Sequence, residues 1–179
     1  MDLSQYDSAW CAIYVRYQHE FTAARLLSEK NYETFAPSFV VRRRWSDRWK
    51  EVQLPLFAGY VFCRIKAMAS GSILLTPGVI RILGTAKSPA IIPDHEISAI
   101  QSAVKSGYQM QPCEYAEIGS RVRITGGPFD GIEGVVESHR NQHRLVLSIE
   151  VVRSSVVVDL GGYVPLESPE QRFQNASVA

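Results

Sequence analysis

Twelve residues, Leu54 to Ile65 (LPLFAGYVFCRI), constrain this chain more than any other stretch: one charge, one proline near the start, one glycine inside, and aromatics at Phe57, Tyr60 and Phe62. Pro55 fixes φ and withholds a donor, so it is expected to open a strand that the following β-branched and aromatic residues continue. Alternation places Leu56, Ala58, Tyr60, Phe62 and Arg64 on one face, and Phe57, Gly59, Val61, Cys63 and Ile65 on the other. Both faces need cover. Either the strand is central and hidden on both sides, or one face enters the core and the other meets a partner.

The rest of the chain supplies elements for that strand to pack against. Trp10 to Tyr17 alternates as a strand, Glu20 to Lys30 carries Phe21, Ala24 and Leu27 at helical spacing, and Tyr32 to Val41 is extended and broken at Pro37. Arg42 to Lys50 (RRRWSDRWK) holds five basic residues and two tryptophans against one acid, Asp47, and reads as an exposed basic loop or hairpin. A short helical turn through Ile73 to Leu75, stopped by Thr76-Pro77-Gly78, leads to a strand at Val79 to Leu83. Asp94 and Glu96 open a second helix, with its apolar stripe at Ile97, Ile100 and Val104 and its end at Ser106-Gly107.

Beyond residue 107 the texture changes. Gly107 to Glu117 lacks periodicity and reads as a linker, after which Arg121 to Ile124, Gly134 to Ser138, Arg144 to Val151 and Ser155 to Leu160 are short strands between turn residues. The expected organisation is an α+β domain over 1–106, a linker over 107–117, a small all-β domain over 118–167 and a polar tail over 168–179. Charge divides the same way: residues 1–106 carry 13 basic and 9 acidic residues, a balance of +4, whereas residues 107–179 carry 6 and 9, a balance of −3.

With 179 residues and 46% apolar content the chain is globular in composition. It has no run of about 18 apolar residues and no leader at Met1, so a cytoplasmic protein without membrane association is expected. Cys11, Cys63 and Cys113 lack metal-type pairing, which points to reduced thiols. The four histidines have no nucleophile or acid at a motif spacing. His139-x-x-x-His143 is read as flanking a turn at Asn141 rather than as a metal site, and no phosphate-cradling loop is present. No enzyme, metal or cofactor is expected.

Gly119 to Val136 (GSRVRITGGPFDGIEGVV) has the pattern of a KOW motif. Upstream, Trp10 to Arg16, the helix after His19-Glu20, Pro37, PLFAGYVF, Pro77-Gly78-Val79 and Ile92-Pro93 together resemble the N-terminal (NGN) domain of the NusG family of transcription elongation factors. The resemblance spans about Ala9 to Leu166, and WCAIYVRYQHE, RRRWSDRWK and TPGVIRILG look closer to the specialised RfaH-like and UpxY-like antiterminators than to housekeeping NusG. Ala58 stands where the family usually has proline. The implied fold is an antiparallel sheet with flanking helices, followed by an SH3-like KOW barrel.

The resemblance also implies partners. Tyr14, Tyr60 and Phe62 match a depression that receives the clamp helices of the largest RNA polymerase subunit, although all three also suit an ordinary core. Arg16 matches a basic position that reads the non-template DNA strand. His19, Arg42, Arg43, Arg44 and Arg48 are further candidates for nucleic-acid contact, against the alternative of a solvated loop. Ser70 and Ser72 lie where small polar residues meet the polymerase gate loop. Phe129 matches a position that docks a ribosomal protein or the Rho termination factor. The expected protein is a monomeric elongation or antitermination factor; a general NusG-type factor working with Rho, or a KOW-containing ribosome- or RNA-binding protein, are the other readings.

Overall fold

The computed structural model describes residues 8–45, 47–66, 70–85, 88–113, 121–124, 130–139, 142–160 and 166–167. The chain divides into two compact units, Met1–Ile97 with Glu150–Val152, and Ser98–Ile149 with Arg153–Ala179.

The first unit is α+β. Its strands β1 (Ala9–Val15), β2 (Glu33–Phe35), β5 (Tyr60–Ile65) and β6 (Val79–Ile82) form an antiparallel sheet in the order β2-β5-β1-β6, and β7 (Ile91–Ile92) also pairs with β1. Two helices of this unit are α1 (Glu20–Glu29) and α2 (Ser70–Leu74). The β1–β5 register sets Trp10, Ala12 and Tyr14 opposite Arg64, Phe62 and Tyr60, and Cys11 opposite Cys63. Directly opposed residues share a face, so the register assigns every side chain. One face carries Cys11, Ile13, Val15, Val61, Cys63 and Ile65, all buried against Ala23 and Leu27 of α1 and Ile73 of α2. The other face carries Phe62, which packs edge-on against Phe57 at 5.1 Å and beside Phe35 at 6.4 Å between ring centroids.

The twelve-residue stretch is not one strand. β3 (Ser38–Arg44) and β4 (Trp49–Pro55) form a separate two-stranded hairpin, so Pro55 ends a strand instead of opening one. Residues 56–59 turn the chain into β5. The Leu56 N–H donates to the Pro37 carbonyl (2.9 Å) and the Tyr60 N–H to the Phe57 carbonyl (3.1 Å). Gly59 adopts φ +81°, where a Cβ would be strained and would meet the Tyr14 ring at 3.3 Å. Its N–H donates to the Glu20 carboxylate (2.8 Å), which is 2% exposed, so the first turn of α1 holds this corner in place. The turn also moves Phe57 onto the Phe62 face, where strict alternation places it on the opposite one.

The helix α3 (Asp94–Lys105) has Asp94 and Glu96 in its first turn and Lys105 in its last, the polarity its dipole favours. The boundary between the units falls within it, earlier than the expected break after residue 106.

The second unit holds a six-stranded antiparallel sheet among its described residues: β8 (Met110–Cys113), β9 (Arg121–Ile124), β10 (Glu133–His139), β11 (Gln142–Ile149), β12 (Ser154–Asp159) and β13 (Leu166–Glu167), in the order β13-β9-β10-β11-β12-β8. β8 occupies the segment read as linker, pairing with β12 at the sheet edge. Pro112 hid it from periodicity, yet an edge tolerates a residue that cannot donate. Leu145 and Leu147 face Val158 and Val156 across the β11–β12 ladder, and all four are buried. A Cβ on Gly134 would stand 2.6 Å from Leu145 Cδ1 and 2.9 Å from the Val146 carbonyl oxygen, so the strand approach requires glycine there.

Candidate functional site

The sheet of the first unit leaves one aromatic pair open. Along β1 every residue is buried except Tyr14, which is 36% exposed. Tyr14 stands directly opposite the half-buried Tyr60, their ring centroids 5.5 Å apart and tilted by 50°. A register shift between Tyr14 and Val15 makes Ile80 an extra residue on β6, exposing it and bringing Arg81 opposite Tyr14. A bulge re-aims side chains at a strand end, and here it sets the Arg81 guanidinium 5.8 Å from the Tyr14 ring centroid.

Phe62 does not join that surface. It is 0% exposed beneath Phe57 and Phe35, so its contribution is to brace the strand that carries Tyr60. Arg64, on the same face, is committed inside the unit: it reaches Asp94 at 2.7 Å and Glu33 at 3.6 Å, and lies 5.7 Å from the Trp10 ring centroid.

Arg16 and His19 lie in the turn between β1 and α1, at the same end of the sheet as Tyr14. Arg16 is exposed; its N–H donates to the Gly78 carbonyl (2.8 Å), and its own carbonyl accepts the His19 N–H (3.0 Å). His19 is exposed too, with Nδ1 3.1 Å from the Tyr17 carbonyl oxygen. On α2, Ser70 opens the helix, and the Ser72 hydroxyl is already hydrogen-bonded to the Tyr32 hydroxyl. The Lys30 Nζ donates to the Ser72 carbonyl at 2.8 Å.

The basic run forms the tip of the β3–β4 hairpin. Cross-strand pairing puts Arg43 opposite Lys50 on one face, in line with Val41–Val52 and Phe39–Leu54. The other face carries Arg44 opposite Trp49 and Arg42 opposite Glu51. Arg42, Arg43, Arg44 and Arg48 are all exposed, and Arg42 stands 4.0 Å from Glu51, a separation that contributes little in water. Phe129 lies outside the described residues, as does Asn141.

Burial governs the two inner thiols. Desolvation pushes Cys11 up to about 11 and Cys63 up to about 12, the latter with smaller contributions from Cys11 and Glu33, so both are neutral and unreactive near pH 7. Among the described residues no group of three or more metal-ligating side chains comes together, and no helix is long and apolar enough to cross a membrane.

Residues 8–101 match the family NusG, described as transcription termination factor nusG. This chain belongs to the NusG family. It is 32% identical over 127 residues to the transcription termination/antitermination protein NusG of Escherichia coli K12, an alignment covering 68% of this chain and 69% of that protein. The NusG of Buchnera aphidicola is 30% identical over 134 residues, covering 72% and 74%. Among solved structures, one of Thermotoga maritima NusG aligns at 19% identity and a TM-score of 0.49, covering 84% of this chain and 92% of that one. The NusG-family match runs from β1 into α3 and so includes the Tyr14–Tyr60 surface, the Arg16 turn and the hairpin. Arg81 and Glu20 are the residues sequence reading missed. Arg81 reaches Tyr14 only through a bulge, and nothing in the sequence around Glu20 marks it as the acceptor for a turn 39 residues away.

Proposed function

We propose that this NusG-family chain is a transcription elongation and antitermination factor that binds RNA polymerase through its first unit and recruits a second protein through its second. One observation carries the reading: at the end of the largely buried strands β1 and β5, Tyr14 and the half-buried Tyr60 form an aromatic pair that reaches the surface, edged by Arg81. Such a pair buries much area for little side-chain entropy, which suits it to an apolar helical tip such as the polymerase clamp helices. Phe62 supports the pair from below. Ser70 and Ser72 face the gate loop, and Arg16, His19 and the arginines of the hairpin meet the displaced DNA strand. Binding that favours the closed, pause-resistant polymerase acts through its differential affinity for that state.

The second unit is a KOW domain of SH3-like barrel form, and Phe129 docks a ribosomal protein or Rho. Tethering holds that partner at high effective concentration. The relatives' names join termination with antitermination, which favours a general role beside the specialised one.

Core polymerase binding by Tyr14→Ala and Tyr60→Ala tests the docking surface. Each should weaken binding by about tenfold or more while leaving the fold intact, since buried aromatic anchors at interfaces are worth about 2 kcal/mol or more. Wild-type affinity in both folded variants would rule the surface out. Transcription through pause-rich templates with and without Rho then separates the roles: equal action on every template marks the general factor.

A further inference from the structure

The helix α2 is too short to hold itself. Its five residues, Ser70–Leu74, close little more than one helical turn, and a helix of that length is unstable in water without outside support. One support is apolar: Ile73 is fully buried in the core between the sheet and α1. The other is polar and comes from the connection between α1 and β2. The Lys30 Nζ donates to the Ser72 carbonyl (2.8 Å) and to the Thr76 hydroxyl (2.7 Å), and that hydroxyl donates to the same carbonyl (3.2 Å). The Tyr32 hydroxyl is hydrogen-bonded to that of Ser72.

Lys30 thereby serves two helices at once. Its own N–H closes α1 on the Leu27 carbonyl (3.1 Å), while its ammonium reaches the carbonyl end of α2, where a helix favours a cation. Among the described residues it has no carboxylate partner, so its charge is committed to the Ser72 and Thr76 oxygens. Thr76 is 2% exposed, and a charge-assisted bond sheltered from water is stronger than one at the surface. Asn31, at φ +66°, makes the left-handed turn that ends α1 between the two residues that reach α2.

We propose that Lys30 and Tyr32 are positioning residues for the polymerase contact of α2: they clamp this single turn in one orientation, in which Ser70 and Ser72 are presented to the gate loop. Both act through α2 and neither is itself a contact residue. This role rests on the reading of α2 as a gate-loop contact, and it assigns the orientation of that contact to side chains about 40 positions away. Because Tyr14 and Tyr60 on β1 and β5 carry the affinity, loosening the clamp separates the effect on the polymerase from binding to it.

The test is pause suppression by the full chain at saturating concentration, on intact polymerase and on polymerase with its gate loop deleted, beside the affinity for each. Lys30→Met keeps the aliphatic stem and removes the ammonium; Tyr32→Phe keeps the packed ring and removes the hydroxyl. Each should lower pause suppression on intact polymerase about threefold at unchanged affinity, the size of effect that a residue touching neither partner has on coupling. Lys30→Arg, which keeps a donor cation, should recover most of the loss. On the deleted polymerase wild type should itself be weakened, and the variants should match it. If wild type suppresses pausing equally on both polymerases, the gate-loop reading fails and the positioning role with it. If wild type needs the gate loop but both variants act as wild type on intact polymerase, only the positioning role falls. The same holds if the variants lose as much on the deleted polymerase, or lose affinity in proportion to effect. Should Lys30→Met fail to fold by circular dichroism, Tyr32→Phe, which leaves the core packing of the ring in place, decides alone.

Discussion

β5 and the β3–β4 hairpin are separated by only the turn at 56–59, yet they differ sharply in burial. β5 is largely buried, by helices on one side and by Phe57 and Phe35 on the other, and only Tyr60 and Arg64 are partly open to solvent. Among the described residues the hairpin has no further strand beside it, and it carries its arginines and two tryptophans in solvent. The difference teaches that the same residue type has different surroundings in each: Phe62 on β5 is fully buried, whereas Trp45 and Trp49 at the hairpin tip are largely exposed.

The sharpest way to break this contrast is to compare stability losses. Phe62→Ala removes a fully buried ring and should cost about 3–5 kcal/mol, read as a large fall in the denaturant midpoint. Trp49→Ala, at the exposed tip, should stay within about 0.5 kcal/mol of wild type. Comparable losses would mean the hairpin is part of the core.

A smaller effect tests what separates the two regions. Glu20→Ala leaves the Gly59 N–H without its carboxylate acceptor at the corner between hairpin and sheet, which should cost about 1–3 kcal/mol. A denaturation curve that overlays the wild-type one would show that the turn holds without Glu20.

A further effect comes from the sheet's thiols at high pH. Their ordinary value is 9.0, and burial raises Cys11 to about 11 and Cys63 to about 12. With the folded values above the unfolded ones, the stabilisation is complete below pH 9 and is lost as pH rises towards 11 and 12. The denaturant midpoint should fall across that window, and less so in Cys11→Ala/Cys63→Ala. An identical fall in the double variant would assign the loss to other groups.

Much of this was legible beforehand. The alternation of Trp10 to Tyr17, the helical spacing of Ala24 and Leu27, and the punctuation by Gly and Pro each identified an element that the structure contains, and landmark residues in order identified the family. What was not legible depended on distant atoms. Alternation alone could not tell Phe62 from Tyr60, because both occupy the same face of one strand; the rings of Phe57 and Phe35 cover only the first. Nor could it find β8, whose four residues carry a proline and are ordered by pairing with a strand more than 40 positions later.

The sequence alone therefore determined which elements form and in what order, since helix and strand periods follow from local backbone geometry. Tertiary structure decided where the apolar run of Leu54 to Ile65 breaks and which of its aromatics meets solvent. A carboxylate 39 residues away fixes that break, and a bulge on a neighbouring strand sets the cation beside the open ring. Contacts of that range leave no period in the sequence to read.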